Sequence, residues 1–144
     1  TVNSISQTTG SFDSYGLNYS KGSLKVAIAS DSNAKGYDNK RFASTFSLDS
    51  LDIDVGVLYQ TTKKLSTGIS ENGHVVSVKK NVFEKGSIYY QTSSSDIKLE
   101  SGEQNSFGYT HKISKVSKVF VHASNLESDT KNVDYVSVGF EYKF

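Results

Sequence analysis

Hydrophobic and polar residues alternate with a period of two along most of this chain. The pattern is most regular at the C-terminus. There Val136, Val138, Phe140, Tyr142 and Phe144 fall on one side, and Ser137, Gly139, Glu141 and Lys143 on the other. A side-chain period of two is that of a β-strand. The same alternation predicts strands over residues 15–20, 23–30, 41–48, 51–60, 74–82, 86–92, 104–113, 118–123 and 133–144. Residues 2–7 could add a tenth, although 1–13 is the least patterned part of the chain. No stretch shows the 3.6-residue period of an amphipathic helix. Two positions stand out: Leu58 breaks the pattern, and Phe120 is ambiguous.

Between the strands, tight turns at Lys21-Gly22, Asp49-Ser50, 83–85 and 114–117 alternate with polar stretches at 31–40, 61–73, 93–103 and 124–132. The latter, rich in Asn, Asp, Ser, Lys and Gly, read as long solvated loops. Alternating short and long connections between strands of about ten residues is the rhythm of an up-and-down transmembrane β-barrel. The expected fold is therefore all-β and antiparallel, one barrel domain or barrel portion over residues 1–144 with nine or ten strands.

Composition narrows the function. The chain has 144 residues, a net charge of +1, and no Cys or Pro. Interspersed charges of both signs give no polyanion-binding surface, so no nucleic-acid partner is expected. Thiolate metal sites and disulfides are excluded. No run reaches the roughly 18 apolar residues of a transmembrane helix. The mean hydropathy of −0.43 is compatible with a membrane barrel, whose strands alternate apolar and polar residues. His74, His111 and His122 lack metal-ligand spacing. No motif singles out a catalytic group, so no enzyme activity and no cofactor are expected.

Alternation alone does not say which face is inside, since a soluble ligand-binding barrel has the same pattern inverted. Three features favour apolar side chains outward: the Gly, Ala and Ser on the polar face; the Tyr and Phe near strand ends, where amphipathic rings suit a membrane interface; and the fall of all the long loops on one side. The charges then expected to face a hydrated interior are Lys25, Arg41, Asp52, Asp54, Lys79, Lys112, Lys118, Glu141 and Lys143. Basic members outnumber acidic ones, which predicts a weak preference for anions.

The terminal strand resembles the C-terminal signature of Gram-negative outer-membrane β-barrels, with Ser137, Gly139, Tyr142 and Phe144 at its positions. Further stretches resemble the C-terminal half of general diffusion porins. One is Ser14-Tyr-Gly-Leu-Asn-Tyr-Ser-Lys-Gly-Ser-Leu-Lys-Val-Ala-Ile-Ala29. Another is Tyr109-Thr-His-Lys-Ile-Ser-Lys115 followed by Val119-Phe-Val-His122, with Ile113 in place of the family's Leu and Val116-Ser117 in place of Arg-Thr. Asn3-Ser-Ile5 is similar to the segment that follows the family's constriction loop. The resemblance implies an outer-membrane location, contact with outer-membrane lipid, handling by the barrel-assembly machinery, and a homotrimer. It also implies passive diffusion of small hydrophilic solutes and ions. Full porins of this family have sixteen strands. The chain therefore reads either as part of such a barrel or as a small independent one. The alternative function is a non-channel barrel with a structural or adhesive role through its external loops.

Overall fold

The computed structural model describes residues 1–9, 12–96 and 102–143, the side chains of residues 5 and 7–9 excepted. The described chain forms ten strands in one antiparallel sheet, each paired with its sequence neighbour in simple order. They are β1 (Val2–Thr9), β2 (Phe12–Lys21), β3 (Leu24–Ala34), β4 (Tyr37–Leu48), β5 (Ile53–Lys64), β6 (Ser70–Val82), β7 (Gly86–Ser95), β8 (Gly102–Lys112), β9 (Ser117–Ser128) and β10 (Asn132–Tyr142). A single 3-10 turn, Asp49–Leu51, joins β4 to β5. The all-β, up-and-down architecture expected from the alternation is the one observed, with residues 2–9 supplying the tenth strand. Among the described residues no register joins β1 to β10, which form the two edges of the sheet.

The registers carry each face continuously across the sheet. On one face Tyr19 lies opposite Val26, Leu24 opposite Phe46, and Phe46 opposite Val55. The same face continues through Val78, Tyr90 and Phe107 to Ala123 and Val136. A one-residue slip in any pair would send a whole strand's apolar set to the wrong side, so this continuity fixes register along the sheet.

The strands are staggered. Lys25, Thr45, Gly56, Ser77, Gln91, Ser106, Ser124 and Tyr135 lie directly opposite one another in succession. Lys25 is one residue from the end of β3, whereas Tyr135 is seven from the end of β10. Six residues of stagger over seven strand-to-strand steps is about 20 Å of slip across about 34 Å of sheet. With the hairpin turns level, the strands tilt by about 30°, close to the 35–45° at which sheets close into barrels.

The polar stretches at 31–40, 61–73, 93–103 and 124–132 are not long loops as expected. Most of their described residues belong to strands. The β3–β4 connection is only Lys35-Gly36, β5–β6 turns within residues 65–69, and β9–β10 within 129–131. Residues 97–101 of the β7–β8 connection lie outside the described residues. Among the described connections the alternation of short and long is therefore not found. These strand ends are polar on both faces, so no period of two marks them, yet register pairing with the patterned centre carries the backbone ladder outward. Where β3 ends, the ladder shifts between Asp31 and Ala34, Asn33 takes φ 56°, and its N–H donates to Asp38 Oδ1 at 2.8 Å.

Among the described residues no apolar side chain is buried. The apolar face is the open one, with Val138 81% exposed, while the buried polar side chains Ser106 and Ser124 lie on the opposite face. The described residues therefore form no apolar core of the kind a soluble barrel encloses.

Candidate functional site: the polar face of the sheet

The polar face collects Gly, Ala, Ser and Thr at mid-strand and charges near the strand ends. A cleft of about 800 Å³ opens on it, with walls that include Leu58, Gln60, Val75, Ser93, Gln104 and Leu126 from the five strands β5 to β9. Five adjacent strands lining one cavity means that the sheet curves toward this face. The curvature brings side chains together across strands. Gln104 Nε2 on β8 reaches over β9 to donate to Tyr135 Oη on β10 at 2.7 Å. Ser124 Oγ donates to Ser106 Oγ at 2.7 Å, with Ser124 only 5% exposed.

Two glycines on this face lie beneath aromatic rings. Gly108 lies opposite Tyr89, and a Cβ there would overlap the tyrosine ring. Gly139 lies opposite Phe120, and a Cβ there would overlap that ring in the same way. Each aromatic ring thus covers the backbone of a neighbouring strand that has no side chain of its own, a device that pins register. The ambiguous Phe120 is settled by this pairing: it belongs to the polar face. Leu58 also lies there, opposite Ala43 and Val75.

The charged candidates divide by position. Lys25, Arg41, Asp54, Lys79, Lys112, Lys118 and Glu141 all project from strands on the polar face by register. Lys143 follows β10 with the same parity, its N–H bonded to Val116 O at 2.8 Å. Asp52 is not on a strand: it ends the 3-10 turn at φ 53°, where its carbonyl accepts the Asn81 N–H at 2.9 Å. All but Arg41 stand within three residues of the hairpin end that carries the Gly22, Asp49–Leu51 and Phe83 turns.

At that end Asp54 accepts from Ser47 Oγ at 2.6 Å and pairs with Lys79 at 3.4 Å, while Lys118 Nζ sits 2.8 Å from Glu141. Arg41 stands apart from these, the fifth of the twelve residues of β4. Its guanidinium lies 3.5 Å from Asp31 and donates through Nε to Gln60 Oε1 at 3.2 Å. Asp31 also accepts from Ser14 Oγ at 2.7 Å, and Gln60 donates on to Thr62, which donates to Asn39. The sequence reads Asp31 as part of a loop, because its neighbours are polar on both sides. Alternation already assigns Gln60 to the polar face, whereas nothing in the pattern shows that Gln104 and Tyr135 meet across β9.

Of the terminal-signature residues, Ser137 and Gly139 project to the polar face and Tyr142 to the apolar face of β10. Phe144 lies outside the described residues. His122 stacks edge-on against Tyr135 with ring centroids 5.9 Å apart, and His111 Nδ1 lies 3.2 Å from Tyr109 Oη. Among the described residues no group of three or more His, Asp or Glu side chains could hold a metal ion. No described helix is long and apolar enough to cross a membrane, which says nothing of strands.

No family model matches the chain, and no curated protein matches it. A solved structure does: an anion-selective porin from Comamonas acidovorans, with TM-score 0.70 and 16% identity over 99% of this chain. The match covers 59% of the porin chain, so this chain spans less than two thirds of its neighbour's length. At that identity the similarity is one of fold. The ten-stranded sheet has the fold of a porin barrel wall.

Proposed function

We propose that this chain forms the wall of a water-filled channel in the bacterial outer membrane, passing small hydrophilic solutes and ions by passive diffusion. The observation that carries the proposal is the inverted burial. The apolar face is exposed and among the described residues no apolar side chain is buried, while the polar face curls around open space. Such a sheet is stable where hydrocarbon covers the apolar side and water wets the other. The fold similarity to a porin supports the same reading.

The mechanism needs no chemical step. Solutes pass by size, and the wall charges bias them, because a low-dielectric wall focuses the field of Lys25, Arg41, Asp52, Asp54, Lys79, Lys112, Lys118, Glu141 and Lys143. Six of these nine are basic, so the preferred ions are anions. The resemblance to general diffusion porins extends the proposal to assembly by the outer-membrane machinery through Ser137, Gly139, Tyr142 and Phe144, and to a homotrimer. An adhesive role through long external loops finds no support in the two-residue β3–β4 turn or the three-residue β9–β10 turn.

The test is conductance of the purified protein in planar bilayers under a salt gradient. Stepwise openings with a reversal potential of anion sign are expected. A folded, inserted protein without conductance would overturn the channel, and a reversal potential of cation sign would overturn the selectivity.

A further inference from the structure

At the hairpin end of the polar face lies a second cleft, of about 610 Å³, whose lining includes five lysines, Lys85, Lys112, Lys115, Lys118 and Lys143, and one acidic residue, Glu141. The chain has a net charge of only +1, so this clustering is a local feature.

The lysines are held there by the backbone. The Lys112 N–H donates to Lys85 O at 2.8 Å, tying the β6–β7 turn to β8. The Lys143 N–H donates to Val116 O at 2.8 Å, tying the end of β10 to the β8–β9 turn. Within that turn Ser114 Oγ and Ser117 Oγ lie 2.7 Å apart, and the Val116 N–H donates to Ser114 Oγ, which fixes Lys115 between them.

Register adds a second observation. Lys112 and Lys118 lie directly opposite each other on one face, where Cβ atoms are about 5 Å apart and like charges destabilise a sheet. Glu141 pairs directly with Lys118 at 2.8 Å and acts on Lys143 only at longer range. Among the described residues no ion pair engages Lys85, Lys112, Lys115 or Lys143. An adjoining cleft shares Lys85 and Lys112 and adds Lys79, Asp52 and Glu84. Across both clefts six lysines face three carboxylates. Ammonium groups crowded this way are relieved by an anion of more than one charge, and lysines bind phosphate as point charges from several directions.

We propose that this lysine cleft is a saturable binding site for phosphate-type oxyanions at the hairpin mouth of the channel. The inference rests on the channel reading, because it takes the polar face to be wetted. It goes beyond that reading by placing a resting point on the path.

The probe is inorganic phosphate. Chloride current through the wild-type protein in neutral phosphatidylcholine bilayers is recorded as phosphate is added at constant ionic strength. In parallel, phosphate binding to the detergent-solubilised protein is read from ³¹P line width. A current that falls to a plateau, and a matching saturable line width, are expected. K112Q/K143Q should weaken both by at least tenfold, and K115Q, in the turn, by about threefold. K63Q, near the other end of the sheet, should leave both unchanged. Heat-modifiable migration checks that each variant is folded. Wild-type current linear in phosphate, or unchanged affinity in K112Q/K143Q and K115Q, overturns the site. Conductance without saturation refutes the site and leaves the channel standing; saturable binding without conductance refutes the channel and leaves the site. Repeating the assay with phosphatidylglycerol in the bilayer separates a soluble anion from a lipid headgroup. Phosphate affinity unaffected by that lipid supports the proposal, and loss of the phosphate response overturns it.

Discussion

Replacing Val57 by arginine puts a charge in the middle of the apolar face. Val57 lies on β5 between Ser44 of β4 and Val76 of β6. From Ile53 to Tyr59, the apolar run of β5 spans six residue steps, about 20 Å along the strand and about 17 Å along the membrane normal at a tilt near 30°. Val57 stands four steps from Ile53, deep within an apolar band about 25 Å tall. An Arg at the bilayer midplane of such a barrel costs about 2–4 kcal/mol, or roughly a 30- to 900-fold shift in the folding equilibrium. Ala43→Arg is the partner experiment. Ala43 is on the other face, opposite Ala27 and Leu58, where a guanidinium reaches water, so its cost should stay below about 1 kcal/mol. Ile53→Arg and Tyr59→Arg, toward the ends of the run, should cost less than Val57→Arg. Guanidinium titration of folding into phosphatidylcholine vesicles, followed by heat-modifiable gel migration, measures all four. A flat cost across Ile53, Val57 and Tyr59, or a larger cost at Ala43 than at Val57, would refute the orientation of the sheet.

Gly108→Ala should destabilise by about 1–3 kcal/mol, because the new methyl meets the Tyr89 ring. Adding Tyr89→Ala should recover most of that loss, and the same titration reads the coupling. Phe83 is 89% exposed and adopts φ 60° in the β6–β7 turn, so Phe83→Asn should stabilise by about 1 kcal/mol in detergent. Anion preference, read as reversal potential, should shrink between 0.1 M and 1 M salt, where the screening length drops from about 10 Å to about 3 Å. Preference independent of salt would contradict selection by wall charge.

The centres of the strands were legible because each is apolar on one side only. Val76 and Val78 against Ser77 and Lys79 needed nothing beyond a period of two. Leu58 broke that period in sequence and still keeps it in space, because its backbone follows the register of Ala43 and Val75. The outer thirds of the strands were not legible. In Asp31–Ala34 or Thr61–Lys64 both faces are polar, so nothing in the pattern separates strand from loop, and β1 is obscured in the same way by its Ser, Thr and Gln. The polar-face charges were largely found by parity alone, whereas Asp52 was carried off the strand by the 3-10 turn. Phe120 could not be placed from its own neighbours, since the glycine it covers is on another strand, nineteen positions away by number.

Which side of the sheet meets hydrocarbon is settled most directly by single nitroxide labels at 54, 55, 57, 58 and 60 on β5. The chain has no cysteine, so each introduced thiol is unique. In vesicles, labels at 55 and 57 should relax with oxygen, and those at 54, 58 and 60 with water-soluble nickel chelate. Position 58 is the sharpest, because Leu58 is apolar by nature and polar-facing by register. Oxygen access at 58 with nickel access at 57, or shielding of 55 and 57 from both reagents, would contradict the orientation.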